Sequence, residues 1–136
     1  TKIFTTLPQE AKNIRIEVFM KEQGFENEFD DIDTISHHIV VFDEGKPIGT
    51  CRFFKENNHY TIGRVAVLKE YRNQHIGNLL LESAENEIKK LNGDLIVVHA
   101  QVRVSPFYEK QGYIQFGQID DDEGVPHMWM KKKIQY

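Results

Sequence analysis

A chain of 136 residues, 40% hydrophobic and 28% charged, has the size and composition of one soluble domain built around a single sizeable core. Its net charge of −4 argues against non-specific nucleic-acid binding, no apolar run approaches bilayer length, and no secretory pattern opens the sequence. The lone cysteine, Cys51, excludes an intrachain disulfide and reads as a small buried hydrophobe, so a reducing cytoplasmic setting is expected.

In chain order, Thr1 to Thr6 reads as a short edge strand. Leu7 to about Gln23 reads as a helix, with Pro8 in its first turn and Ala11, Ile14 and Val18 as a buried stripe. Ile16, Phe19 and Met20 form a second apolar face, so cover on more than one side is expected, and Gly24 ends the helix. The acidic, irregular stretch Phe25 to Ser36 suits a lid or substrate loop. With Asp120 to Glu123 it makes two acidic clusters, both read as solvated loops, with steering of a cationic substrate as the sharper alternative.

Three strands in meander order follow: Ile39 to Phe42, Ile48 to Phe54 and His59 to Leu68, separated by turns at Asp43 to Pro47 and Asn57-Asn58. A helix is expected from Ile76 to Leu91, with Ile76, Leu79, Leu80, Ala84, Ile88 and Leu91 on one face and Asn92-Gly93 as its stop. Leu95 to Val98 reads as a central strand buried on both faces. Strand, helix and strand imply a right-handed crossover, which puts Val65 and Val97 on parallel strands. Ser105 to Gly112 carries a cap Ser, a Pro at the first helical position and a terminal Gly, the marks of a short helix. Two last strands, Tyr113 to Ile119 and His127 to Ile134, flank a loop from Asp120 to Pro126. Lys131-Lys132-Lys133 reads as a solvated end, and an exposed final strand ending in Ile134 could pair across a homodimer. The expectation is one α/β domain over residues 1–136, its mixed sheet antiparallel at both ends and parallel in the middle.

The stretch Ile62 to Leu81 organises the rest. Its strand, short turn and helix direct unpaired backbone N–H groups and the positive helix end at one point, and Arg72 adds a planar fork of donors. That is an anion site in outline. The nucleotide-loop patterns GxGxxG and GxxxxGKS/T are both absent.

Three separated pieces resemble the GNAT N-acetyltransferases, which move an acetyl group from acetyl-CoA to an amine. They are Arg64-Val-Ala-Val67 with Arg72-Asn-Gln-His-Ile-Gly77, then His99-Ala-Gln101, then Phe107-Tyr-Glu-Lys-Gln-Gly-Tyr113. Val18 to Gln23, Asp33 to His38, Ile48 to Arg52 and Gly124-Val-Pro-His-Met128 extend the match toward the ElaA-like branch. His75 stands where the family usually has its first loop Gly, and Asn73 where Gly is frequent. Asn tolerates positive φ and His is enriched there, so the anion nest is expected to persist.

The resemblance implies that Val65, Ala66 and Val67 hold the pantetheine arm by their backbone, as an added strand would, and that the N–H of Val67 polarises the thioester carbonyl. It implies that Arg72, Asn73, Gln74, His75, Ile76, Gly77 and Asn78 hold the pyrophosphate, that Gln101 bonds the pantetheine, and that Tyr108 is the general acid for the departing thiolate. The base stays open among Glu22, Asp33, His38, His127 and a water relay. The adjacent His37-His38 pair points to opposite faces of a strand, so no metal is expected. The acceptor is expected to be a small-molecule or peptide amine. A non-catalytic acyl-CoA-binding or regulatory module is the alternative.

Overall fold

The apolar runs of the sequence become strands of one sheet. The computed structural model describes residues 1–26 and 28–134. The strands are β1 (Lys2–Phe4), β2 (His37–Asp43), β3 (Lys46–Glu56), β4 (His59–Val67), β5 (Leu95–Gln101), β6 (Ile114–Asp122) and β7 (Val125–Lys133). They lie in the order β1-β2-β3-β4-β5-β7-β6, parallel between β4 and β5 and antiparallel elsewhere. The helices are α1 (Gln9–Arg15), α2 (Ile76–Lys90) and α3 (Ser105–Lys110). Among the described residues, no helix is long and apolar enough to cross a membrane.

Side chains alternate across a strand, and β2 shows what that does. Ile39 and Val41 join the cluster under α2, where Leu80, Leu81, Ala84 and Ile88 are buried. Val40 faces the other way, with Ala66, onto Ala11, Ile14 and Val18 of the first helix. The sheet is therefore covered on both faces, and each fully buried aliphatic side chain contributes about 1.5–3 kcal/mol. Helix α2 lies close to β3, because a Cβ added at Gly49 would come within 2.9 Å of Ile76 Cγ2. Its far side is tied to β7 through Glu85, which accepts from the Tyr113 hydroxyl at 2.8 Å and from Lys132 at 3.1 Å. Leu79 and Leu91, expected on the buried face, lie at its exposed margins, and Leu81 is buried instead.

Other departures have physical causes. The first helix changes at Ile16 to π-helical turns that run to Glu22, and the Gln23 N–H reaches back five residues to Val18 O. Met20 stays exposed, so the second apolar face is only partly covered. The loop expected from Asp120 to Pro126 is a tight hairpin instead. Only Glu123 and Gly124 turn, at φ 50° and 83°, while the acidic residues before them belong to β6. Nor is the final strand an edge: β7 is flanked by β5 and β6, and the exposed edge is β6, with Ile114 and Ile119 open to solvent. The pairing surface proposed from Ile134 is absent from that position.

Candidate active site

β4 and β5 begin as a parallel pair, but their register runs only from Tyr60↔Ile96 to Ile62↔Val98. The break coincides with a β-bulge. From Thr50↔Ala66 to Arg52↔Gly63 there are two steps along β3 but three along β4. The additional residue sits at Arg64, whose φ of 52° is left-handed. A bulge bends and twists its strand, so β4 turns away from β5 and a gap opens in the middle of the sheet.

The direction of the backbone in that gap follows from the pairing. Leu68 N–H bonds Ile48 O across β3. Alternation then turns the polar groups of Ala66 toward β3 and those of Val65 and Val67 toward the gap. Val67 O accepts the Arg72 Nε–H at 3.1 Å, which leaves the Val67 N–H facing the opening.

Two clefts meet there. The larger, about 690 Å3, runs from Val65, Ala66 and Val67 past Arg72, Asn73 and His75 to the start of α2 at Ile76, Gly77 and Asn78. Asn73 and His75 have φ of 66° and 62°, so both adopt the left-handed backbone that glycine usually supplies. The first intrahelical bond of α2 runs from Leu79 N–H to His75 O, so the N–H groups of Ile76, Gly77 and Asn78 precede it and face the cleft mouth. Gly77 has a steric reason as well, since a Cβ there would sit 3.2 Å from the Phe107 ring. Gln74 stays outside the cleft, its amide bonded to Glu70 O at 3.4 Å.

The smaller cleft, about 150 Å3, opens on the other side of the gap. Phe19, Phe25, Glu28, His99, Gln101 and His127 contribute to its wall. Gln23, Val65, Arg103, Val104 and Tyr108 line both clefts, which makes them one groove through the sheet. Gln101 lies on the smaller side, where it donates to Gln23 Oε1 at 2.9 Å and accepts from Arg103 Nε at 2.9 Å. Tyr108 stands at the junction. Burial, with Cys51 beside it, pushes its phenol above the ordinary range, so the hydroxyl stays protonated at neutral pH. No described residue accepts its proton.

The acidic stretch before β2 is only partly solvated: Glu26 and Asp31 are exposed, but Glu28 and Asp33 are buried. Glu28, Asp30 and Asp33 meet Arg15, Arg52 and Arg64, three arginines far apart in sequence. Arg15 donates Nε to Glu28 at 2.7 Å and Nη1 to Asp33 at 2.8 Å. Arg52 spans Asp30 at 2.6 Å and Asp33 at 2.9 Å, and Arg64 reaches Glu28 at 3.1 Å. Burial pushes the Asp33 carboxyl up, but the hydrogen bonds and charges of Arg15 and Arg52 outweigh it and hold it down to about 2. For Glu28 burial wins over Arg64 and Arg15, and its carboxyl is raised. This network fixes Glu28, which with Phe25 lines the smaller cleft.

Arg72 is also engaged. Its fork meets the Glu22 carboxylate with Nη2 2.6 Å from Oε1, a pair exposed to solvent. Of the candidate bases, Glu22 is held there with its carboxyl lowered by that hydrogen bond, and Asp33 lies in the buried network. His38 is buried with Nε2 3.0 Å from Asp33 O, and burial lowers its pKa. Only His127 of the four lines a cleft. Sequence reasoning missed Arg103 and Phe19 as cleft residues, and reached Phe25 and Glu28 only as members of the stretch read as a lid or substrate loop. The Gly63-Arg64 pair inside a strand was the one available signal for the bulge.

A family model described as an acetyltransferase (GNAT) domain matches residues 5–134. The chain belongs to the GNAT acetyltransferase family. YjcF of Bacillus subtilis, named an uncharacterized N-acetyltransferase, is 33% identical over 91% of this chain and 91% of its own length. ElaA of Escherichia coli is 23% identical over 89% of the chain and 84% of its own, and its crystal structure superposes with a TM-score of 0.84 over 91% of this chain and 88% of that one. An acyl-CoA N-acyltransferase from Pseudomonas aeruginosa shares the fold with a TM-score of 0.86, at 22% identity over 96% and 97% of the two chains. This acyltransferase thus sits beside ElaA in both sequence and structure, as the scattered motifs implied.

Proposed function

We propose that this GNAT acyltransferase transfers an acetyl group from acetyl-CoA to a primary amine, directly, in one ternary complex. The observation that carries the reading is the groove through the splayed sheet, with Tyr108 where its two arms meet. The larger arm fits the acyl donor: backbone groups face the gap along β4, and a left-handed turn and a helix N-terminus stand at the mouth. The smaller arm suits a slim aminoalkyl end.

Val65 and Val67 pair with the pantetheine through the backbone groups that β5 leaves unmatched. Arg72, Asn73, His75, Ile76, Gly77 and Asn78 hold the pyrophosphate, with the Arg72 fork shared between it and Glu22. Gln101 steadies the reacting end of the arm from the acceptor side. The Val67 N–H polarises the acyl carbonyl. Acetyl-CoA supplies the thioester, whose C–S bond breaks as the C–N bond forms. Tyr108 Oη gives its proton to the departing sulfur and recovers one from the acylated nitrogen, so the phenol ends as it began.

Thermal unfolding with acetyl-CoA, free CoA and ATP tests the donor arm. Either CoA species at a hundred times its Kd stabilises by about 2.7 kcal/mol, and ATP does not. The same melting curve with and without millimolar acetyl-CoA would remove the reading. For the acid, Tyr108→Phe should lower kcat about 100-fold with acetyl-CoA affinity unchanged. Wild-type turnover in that variant would take Tyr108 out of the chemistry.

A further inference from the structure

We infer that His127 is the general base that takes the proton from the acceptor amine, with Nε2 as the accepting atom. The inference rests on the acetyl-transfer reading above. His127 Nδ1 lies 2.8 Å from Val125 O. A carbonyl oxygen only accepts, so Nδ1 carries the hydrogen and the lone pair of the neutral ring is on Nε2. No described residue pairs with Nε2. The ring is buried at 6% exposure yet lines the acceptor arm that Tyr108 also reaches.

The buried carboxylate in that wall, Glu28, is already committed. Glu28 Oε1 holds both Arg15 and Arg64, and protonating it would weaken one ion pair of each guanidinium. His127 Nε2 has no such duty, and the free nitrogen of a neutral imidazole can accept a proton.

Charged groups face the ring from several elements. From β5, His99 packs on it with centroids 4.8 Å apart, and His99 Nε2 donates to Asp120 Oδ1 of β6 at 2.7 Å. Asp122 and Glu123 line the same arm from the β6–β7 hairpin, Glu28 from the loop before β2. Opposing them are Arg64 of β4, which is paired with Glu28, and Arg103 after β5. Carboxylates outnumber the guanidiniums.

The proton balance closes. The ammonium form of the acceptor gives one proton to His127 Nε2, which passes it to solvent after turnover. The neutral nitrogen forms the C–N bond, and its second proton replaces the one Tyr108 delivers to sulfur. One proton is released for each acetyl group transferred.

The test uses the intact protein with acetyl-CoA and a panel of primary amines, following thiol release between pH 5.5 and 9. His127→Gln should lower kcat/KM for the amine about 100-fold at pH 7, keep the acetyl-CoA Kd, and recover rate on adding imidazole. Nitrogen-15 NMR of the wild-type ring should report the Nδ1–H tautomer. A His127→Gln enzyme with wild-type rate and pH profile overturns the assignment, as does an Nε2–H tautomer. Loss of turnover in Glu28→Gln with His127→Gln fully active would transfer the role to Glu28. A wild-type protein that binds acetyl-CoA but acetylates no amine defeats the transfer reading, and the base falls with it.

Discussion

Arginine meets carboxylate in two regions of this molecule, with different consequences. Around Asp33, the side chains of Arg15, Arg52 and Glu28 are packed against the first helix and the sheet at 5% exposure or less, with Asp30 and Arg64 at the rim of the set. At Arg72 a single pair lies at the cleft mouth, each side chain 36% exposed. The contact distances are alike. Burial separates them: a buried ion whose partner is removed keeps its desolvation cost, whereas an exposed one returns to water. The first set is therefore scaffold, and the second is an exchangeable contact beside the proposed pyrophosphate site.

Removing one member of the buried set gives the largest effect. Asp33→Ala leaves Arg15 and Arg52 without a shared partner, and urea unfolding should show a loss of about 3–5 kcal/mol. A loss below about 1 kcal/mol would mean that the network relaxes as freely as a surface pair.

Acid provides a subtler probe of the same carboxylate. Asp33 has a depressed folded-state pKa, about 2 against an ordinary 3.8. Its stabilisation is complete above the unfolded value and disappears as pH falls through the folded one. About 2 kcal/mol should be lost between roughly pH 5 and pH 1, measurable as a falling urea midpoint. Asp33→Asn should flatten that part of the curve.

The exposed pair should respond in ligand binding rather than in stability. Arg72→Ala weakens CoA about tenfold by calorimetry, since a bidentate donor to phosphate is lost. Unchanged affinity would place the pyrophosphate on the backbone turn alone. Glu22→Ala is the smallest change. Stability stays within about 0.5 kcal/mol of wild type, and CoA binds a few-fold tighter because the Arg72 fork is no longer shared. Weaker binding in that variant would show that Glu22 orients the fork instead of competing for it.

Legibility in the sequence followed how local each feature is. Helix α2 was readable because its period and its Asn92-Gly93 stop are local signals, and the crossover followed from element order. The acidic run of β6 looked like a loop because Asp is poor in strands, although Glu123-Gly124 carried the two-residue hairpin signal. Arg15, Arg52 and Arg64 gave no sign of their partners, since pairing across 13 to 36 residues is a tertiary fact. The acid role proposed for Tyr108 came from a motif match, and the reach of both clefts to it needed three dimensions. The π-helical turns that bring Val18 and Gln23 to the groove had no pattern to announce them.

The bulge at Arg64 also says something about how such a site can change. The opening is a counting fault in the sheet: one supernumerary residue on β4 is what keeps two neighbouring strands from zipping closed. Substitutions along the walls can alter what enters, but none of them removes the residue that holds the doorway. The doorway belongs to chain length, and the lining side chains are left free to diverge around it.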